Sequence, residues 1–369
     1  MKLLRPLVAL SALALVAAAC GGGSDESADS TEASTTTSSS TTTTVKATTT
    51  TSTSTSTSTT TVPAPTIRQP LTGQPLASAD ELLQRAALVA KIDNNASAVK
   101  NHSGLGVADI VFEEVVEGKT TRFAAVFHSQ GSDPIGPIRS GRTQDIDMFT
   151  SFYFPLFVWS GGNANVTRAI DSSTLINMGP NHASGYYRGP GGAPHNLYTS
   201  TDNIWFQTPE TQPGPPPQQF VYLEEGATFE GDAVAGAKLP VGSERIEWTW
   251  NAEIGKFERS QRGQPHNDKL TGRIGATNVV AMGVDYQPSP ADQRSPEAQT
   301  VGEGPVFVFS DGKTVEGRWR RDSNEVPIAF YTLDGEPIAL NPGNTWIELP
   351  EYVTIDNGTY VDIELLPAV

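Results

Sequence analysis

The sequence predicts an α+β protein, with an N-terminal mixed sheet covered by helices and then a smaller, mostly β C-terminal domain. Three observations carry this. Apolar runs of buried-strand length alternate with short helical patterns up to about residue 206. Beyond residue 220 the periodic segments have the two-residue alternation of strands, punctuated by Asp-Gly turns. Between them lies "QTPETQPGPPPQQ" at 207–219, a proline cluster that can join neither ladder nor helix and reads as a semi-rigid linker. The flanking parts, an N-terminal domain at 70–206 and a C-terminal domain at 220–369, are each long enough for a core of their own.

The elements follow in chain order. Residues 1–19 hold Lys2, Arg5 and the apolar run "PLVALSALALVAAA", which breaks at Cys20 and three glycines. A membrane span needs about 20 apolar residues, so this segment reads as a signal peptide. "AAAC" reads as a lipid-attachment box in which Cys20 becomes the first mature residue, carrying palmitate-type chains. Cys20 is the chain's one cysteine, which excludes disulfides, thiolate zinc sites and a cysteine nucleophile in the folded part. Residues 20–69 are dominated by Ser and Thr and have too little apolar content to bury anything, so they read as a disordered tether. About 40 such residues span roughly 35 Å as a random coil.

Within the first folded part, "SADELLQR" places Ser78 three residues before Glu81, a capping box for a short helix. "AALVAKID" and "PLFVWSGG" read as buried strands, and "RTQDIDMFTSF" and "ANVTRAIDSS" as helices. "DIVFEEVVEG" and "TTRFAAVFHS" read as a hairpin. With Gly118 and Lys119 as a two-residue turn, Glu117 faces Thr120, Val115 faces Arg122 and Asp109 faces His128. Alternation then puts Glu113, Glu117 and Arg122 on one polar, solvated face, with Phe112 and Phe123 together on the core face. In the second part "RIEWTWNAEIGKFERSQRG", "ATNVVAMGVDY", "PVFVFSDGKTVEGRWRR", "PIAFYTLDGEPIAL" and "TWIELP" all read as strands.

Charge narrows the partners. Removal of a leader holding Lys2 and Arg5 leaves 23 basic against 41 acidic residues, a net of −18. Such a field repels nucleic acid and anionic lipid heads, so attachment to a membrane surface requires the N-terminal lipid.

Against that background, "DPIGPIRSGR" at 133–142 displays Arg139 and Arg142 on a Pro/Gly-rich turn just before a helix start. Arginine captures phosphate or carboxylate bidentately, and glycines let an anion approach backbone N–H groups. Arg122 and Glu117 from the hairpin and Asn196 complete the candidate ligand set. The bland alternative is that the arginines neutralise Asp145, Asp147 or the glutamates on the hairpin. "GGAPHNLYTS" places His195 in a glycine loop, where it could serve as acid, base or ligand to a hard cation with Asp93 or Glu113, or as a structural hydrogen-bonder. His266 and Asp268 in "RGQPHND" read as turn caps. No HExxH, GxSxG or Walker pattern is present, and no metal set or cofactor is assigned.

"KIDNN", "SGLGVADIVFEEVVEGKTTRFAAVFHS", "DPIGPIRSGR" and "GGAPHNLYTS" resemble the N-terminal domain of the YerB-like lipoproteins, a bacterial family of unknown function. "KFERSQRGQPHNDKLTGRIGATNVV", "GPVFVFSDGKTVEGRW" and "LNPGNTWIELP" resemble its C-terminal domain. The resemblance covers about residues 70 to 350 and implies no reaction. Two readings therefore stand. One is a lipoprotein on the extracytoplasmic membrane face that binds an anionic wall polymer or an envelope protein through Arg122, Arg139 and Arg142. The other is a hydrolase or transferase acting on a phosphodiester or glycosidic bond, with Glu113 or Asp93 as acid/base assisted by His195.

Overall fold

The computed structural model describes residues 66–368, so Cys20, the leader and the tether up to residue 65 lie outside the described residues. The first strand, β1 (Leu88–Asp93), is buried along its whole length. A run without polar alternation needs cover on both faces, and its neighbours supply it. On one side β1 pairs antiparallel with β3 (Thr121–Phe127), which pairs antiparallel with β2 (Ile110–Val115). On the other side it runs parallel to β4 (Leu156–Val158), which runs parallel to β5 (Ile176–Asn177). The sheet is therefore mixed, and three short helices, α1 (Gln144–Phe149), α2 (Ala164–Asp171) and α3 (Thr201–Phe206), belong to this part.

Beyond the proline cluster the chain is nearly all strand. β8 (Asp232–Val241), β9 (Glu244–Asn251) and β10 (Lys256–Gln261) form a meander; the short pairs β6 (Tyr187–Arg188) and β7 (Leu197–Tyr198) precede it. The strand Thr345–Glu348 lies parallel to β2 on one side and to Asn278–Met282 on the other. One 16-stranded sheet thus runs through both parts of the chain, from the short strand Gln264–Pro265 beside β10 at one end to β5 at the other. Hydrophobic residues pack on each face of it. One cluster joins Leu88, Phe123 and Phe127 to Trp248, Phe257 and Trp346. The other joins Val89, Phe112, Met148 and Trp159 to Val280, Val308 and Ile347. Among the described residues no helix is long and apolar enough to cross a membrane.

Two local expectations are corrected. The "SADELLQR" segment makes only a 3-10 turn, Ala79–Glu81, in which Ser78 caps nothing and Glu81 accepts the Ala77 N–H at 3.2 Å. The segment buries no residue, and an isolated turn without packing lacks the stability to propagate. The hairpin register is shifted by one. Glu114, not Val115, lies opposite Arg122, and Glu113 lies opposite Phe123. The connection is a 3-10 turn over Glu117–Lys119, with Gly118 at φ +69° and Lys119 at φ +59°, closed by Val116 N–H to Thr120 O at 2.8 Å. A one-residue slip exchanges faces. Phe112 and Phe123 consequently sit on opposite sides, Arg122 shares its side with Glu114 and Asp93, and neither side is solvated. Asp109 is not paired with His128 across the ladder. Its carboxylate instead accepts the N–H groups of His128 and Ser129 at 2.6 and 2.7 Å.

Candidate functional site

Asp93 closes β1 and gathers the site around itself. Its Oδ1 accepts the Asn95 N–H at 3.0 Å, which fixes the carboxylate rotamer. Its Oδ2 meets His195 Nδ1 at 2.5 Å and Arg139 Nε at 3.2 Å. Because the carboxylate holds the proton on Nδ1, the Nε2 atom of a neutral His195 is left as an acceptor. His195 is about a quarter exposed, whereas Asp93 is buried.

The segment 133–142 is less a turn than a strap stitched across the sheet end. Ile135 N–H bonds Thr199 O at 2.7 Å, Gly136 N–H bonds Ser103 O at 3.0 Å, Ile138 N–H bonds Leu197 O at 2.6 Å and Arg139 N–H bonds Lys91 O at 2.8 Å. Those donors are consumed, and Arg142 N–H is taken by Asp145 Oδ2 at 2.7 Å. Open backbone donors are therefore not offered at Ile135, Gly136, Ile138, Arg139 or Arg142. What the strap presents is side chains. Arg142 pairs with Glu117, and Arg122 Nη1 donates to Ser140 O at 3.0 Å. Burial, then the fields of Arg142 and Arg139, lower Arg122 to about 10, so the three guanidinium groups feel one another. Against the upward push of its partial burial, Arg142 holds the Glu117 carboxyl below the usual range.

Beneath them, Lys91 is shared in a dry layer by Glu114 and by Asp145, the latter at 2.7 Å. Burial, with Asp145 adding and Lys91 opposing, raises Glu114 to about 7.

Two predicted site residues belong elsewhere. Glu113 is fully buried, where Oε2 meets Arg259 and Oε1 accepts Thr121 Oγ1 at 2.6 Å and Asn94 Nδ2 at 3.0 Å. A carboxyl closed off in this way cannot reach a ligand. Asn196 is a loop organiser: its amide donates to Gly189 O and Gly191 O at 3.2 and 3.0 Å and its Oδ1 accepts Arg188 Nη1 at 3.1 Å. That ties down the loop carrying His195 but leaves Asn196 no free donor.

Two family profiles match the chain. One, described as the N-terminal domain of a protein of unknown function (DUF3048), covers residues 71–213, and the C-terminal domain of the same description covers 237–347. The chain belongs to this YerB-like family. The Bacillus subtilis (strain 168) protein named Putative lipoprotein YerB is 26% identical over 304 residues, which is 78% of this chain and 87% of the relative. The crystal structure of the Bacillus subtilis YerB protein superposes with a TM-score of 0.65 at 24% identity, covering 77% of this chain and 96% of that one, a likeness of fold.

Within the YerB-like fold, sequence reasoning passed over the most connected residues. Arg259 lies fully buried between Glu113 and Glu348, and the rings of Phe123, Trp248 and Trp346 surround its guanidinium at 5.3, 5.9 and 5.0 Å. From it a chain of bonds returns to the site. Arg259 Nη1 donates to His266 Nδ1 at 2.8 Å, His266 Nε2 then lies 2.7 Å from His102 Nδ1, and His102 Nε2 lies 2.6 Å from Asp93 O. A carbonyl can only accept, so His102 carries its proton on Nε2 and His266 carries its own on Nε2. Burial above all lowers both histidines, His102 to about 4, and keeps them neutral. His266 is thus a link in a buried network rather than a turn cap, while Asp268 Oδ1 does cap Leu270 N–H at 2.8 Å. An alternating strand such as "KFERSQ" gives no sign that its arginine points inward, so nothing local flagged Arg259.

Proposed function

We propose that this protein is an extracytoplasmic, membrane-tethered lipoprotein that binds an anionic component of the cell envelope, with Arg139, Arg122 and Arg142 as the anion contacts. The observation that carries the reading is that Arg139 on Asp93, Arg122 on the Ser140 carbonyl and Arg142 on Glu117 are held along one strap beside the partly exposed His195, in a chain of net charge −16. Arg139 meets Asp93 as an ion pair at Nε without a formed hydrogen bond, and its terminal nitrogens have no hydrogen-bond partner among the described residues, so they remain for a ligand. Attachment through Cys20 is supported by the export leader and by the name of the Bacillus relative. An acidic protein gains no long-range attraction for an anion, so binding rests on short, desolvated contacts of about 1.5–3 kcal/mol each. An envelope protein presenting a carboxylate or phosphate would meet the same groups.

Titration calorimetry of the folded part with phosphate-rich wall polymer and with muropeptides tests this. Arg139→Ala and Arg142→Ala should each weaken binding at least tenfold while remaining folded; variants that bind as well as wild type would make the arginines structural.

A second reading has one specific support, the His195–Asp93 bond. His195 Nε2 is poised to take a proton from water attacking a phosphodiester or glycosidic bond, with Asp93 stabilising the imidazolium. Glu113 has no part in it. Turnover of bis(p-nitrophenyl) phosphate that disappears in His195→Gln would favour this reading, and no turnover by wild type would retire it for phosphodiesters.

A further inference from the structure

At the carboxyl ends of parallel strands an open sheet leaves a crevice, and ligands of such sheets sit there. β1, β4 and β5 run parallel, and Asp93 stands at the end of the first. At the ends of the other two lies a cleft of about 250 Å³, formed by Ser160–Gly162 after β4, Gly179–His182 after β5, and Thr167 of α2. The strap joins the cleft to the arginines, because Ser160 N–H bonds the Arg139 carbonyl at 2.9 Å.

The lining is uncharged but polar, unlike the largely apolar uncharged cleft between Gln218–Val221 and Pro327–Tyr331. No carboxylate and no Lys or Arg lines this cleft, although the chain has 41 acidic residues. By contrast, the clefts along β8 and β10 carry Glu247, Asp362 and Glu364 in one case and Asp268 in another. Asn177 is already occupied, its Oδ1 taking Trp159 Nε1 at 2.7 Å and Gly179 N–H at 3.0 Å. The side chains of Ser160, Thr167, Asn181 and His182 make no hydrogen bond among the described residues. Hydroxyl, amide and imidazole groups are both donors and acceptors, which suits ligand hydroxyls that are themselves both. A volume below about 300 Å³ suits a single small unit, smaller than a drug-sized molecule.

We propose that this cleft is the polyol subsite of the arginine site, so that the ligand is a phosphorylated sugar or polyol unit rather than bare phosphate. The inference rests on the anion-binding reading and adds the substrate class to it. Arg139, at the junction, takes the phosphate, while Ser160, Asn181 and His182 take the hydroxyls. The buried indole of Trp159 forms the floor: Gly162 and Gly179 lie so close that a Cβ at either would stand 3.1 Å from it.

The test compares inorganic phosphate, glycerol 3-phosphate and glucose 6-phosphate by calorimetry, on wild type, Asn181→Ala, Ser160→Ala and Arg139→Gln. Wild type should bind at least one of the two organic phosphates tenfold or more tighter than inorganic phosphate. Asn181→Ala and Ser160→Ala should cut that preference below about threefold with the affinity for inorganic phosphate unchanged. Arg139→Gln should weaken all ligands. If the organic phosphates bind no tighter than inorganic phosphate, or keep their preference in both cleft variants, the subsite is overturned while the arginine site stands. If none of the three ligands binds, or if Arg139→Gln changes nothing, the anion-binding reading falls and the subsite falls with it.

Discussion

Arg259 sits where two carboxylates and three aromatic rings meet with no water-exposed atom among the charged groups. Removing the guanidinium leaves two buried carboxyls without the cation they share, in a poor solvent, at a cost of about 3–5 kcal/mol. Arg259→Ala should therefore lower the urea midpoint strongly with the slope unchanged, and a loss under about 1 kcal/mol would mean that water replaces the guanidinium. His102 makes the second residue-scale prediction. Its pKa is about 4 in the fold against about 6.5 unfolded, so between these values the unfolded chain holds a proton that the folded one refuses. Stability then falls as pH drops from about 6.5 to 4, by about 3 kcal/mol at most from this group. Asp109, raised by burial to about 6, contributes in the opposite sense, stabilising at low pH and losing that contribution as pH rises through 6. Comparing wild type with His102→Gln isolates the histidine: the variant should lose less stability over this interval, and parallel curves would exclude His102 as the source.

At the scale of elements, the strap is held by close approach. Gly136 has φ +145°, and a Cβ there would lie 2.7 Å from the Tyr198 ring and 2.8 Å from the Leu197 carbonyl, a backbone atom that cannot yield. Gly136→Ala should cost about 2–3 kcal/mol by combining strain with a lost strap–β7 contact. Because Arg139 lies three residues on, ligand affinity should drop in the same variant even where it remains folded. Unchanged stability would show that the strap moves freely. The hairpin teaches why such features escape a linear reading. Gly118–Lys119 fits a two-residue turn and equally the central part of a three-residue one. Only the packing of Phe123 beside Trp346 and Arg259, and of Phe112 beside Phe149, selects the register that puts Glu114 opposite Arg122.

Across the whole molecule, the strand Thr345–Glu348 fills the place between β2 and Asn278–Met282, so each part of the chain completes the other's sheet. Cutting at the proline cluster would expose two long unpaired edges. We expect 66–206 and 220–369 expressed separately to be aggregated or unfolded, and the joined chain to unfold in one transition. Two separate transitions in calorimetry of the intact folded part would contradict this. The N-terminus adds a test of tethering: a lipid analogue should label wild type in cells but not Cys20→Ser, and equal labelling of both would remove the anchor from the account.

Much of this protein is written locally. The strands β1 to β4, the helices α1 and α2, and the turn to strand-rich sequence after 220 are each set by a run of neighbouring residues whose period or composition leaves few choices. Asp93, His195 and Arg139 could also be named in advance, since loop position and residue type are local properties. Their meeting could not, nor could the exclusion of Glu113, which has the same spacing as a surface acid but faces Arg259 from 146 positions away. Contacts of that separation follow from which strands lie side by side. That order is decided by burying apolar faces on both sides of one sheet, a sum over the whole chain that no short window contains.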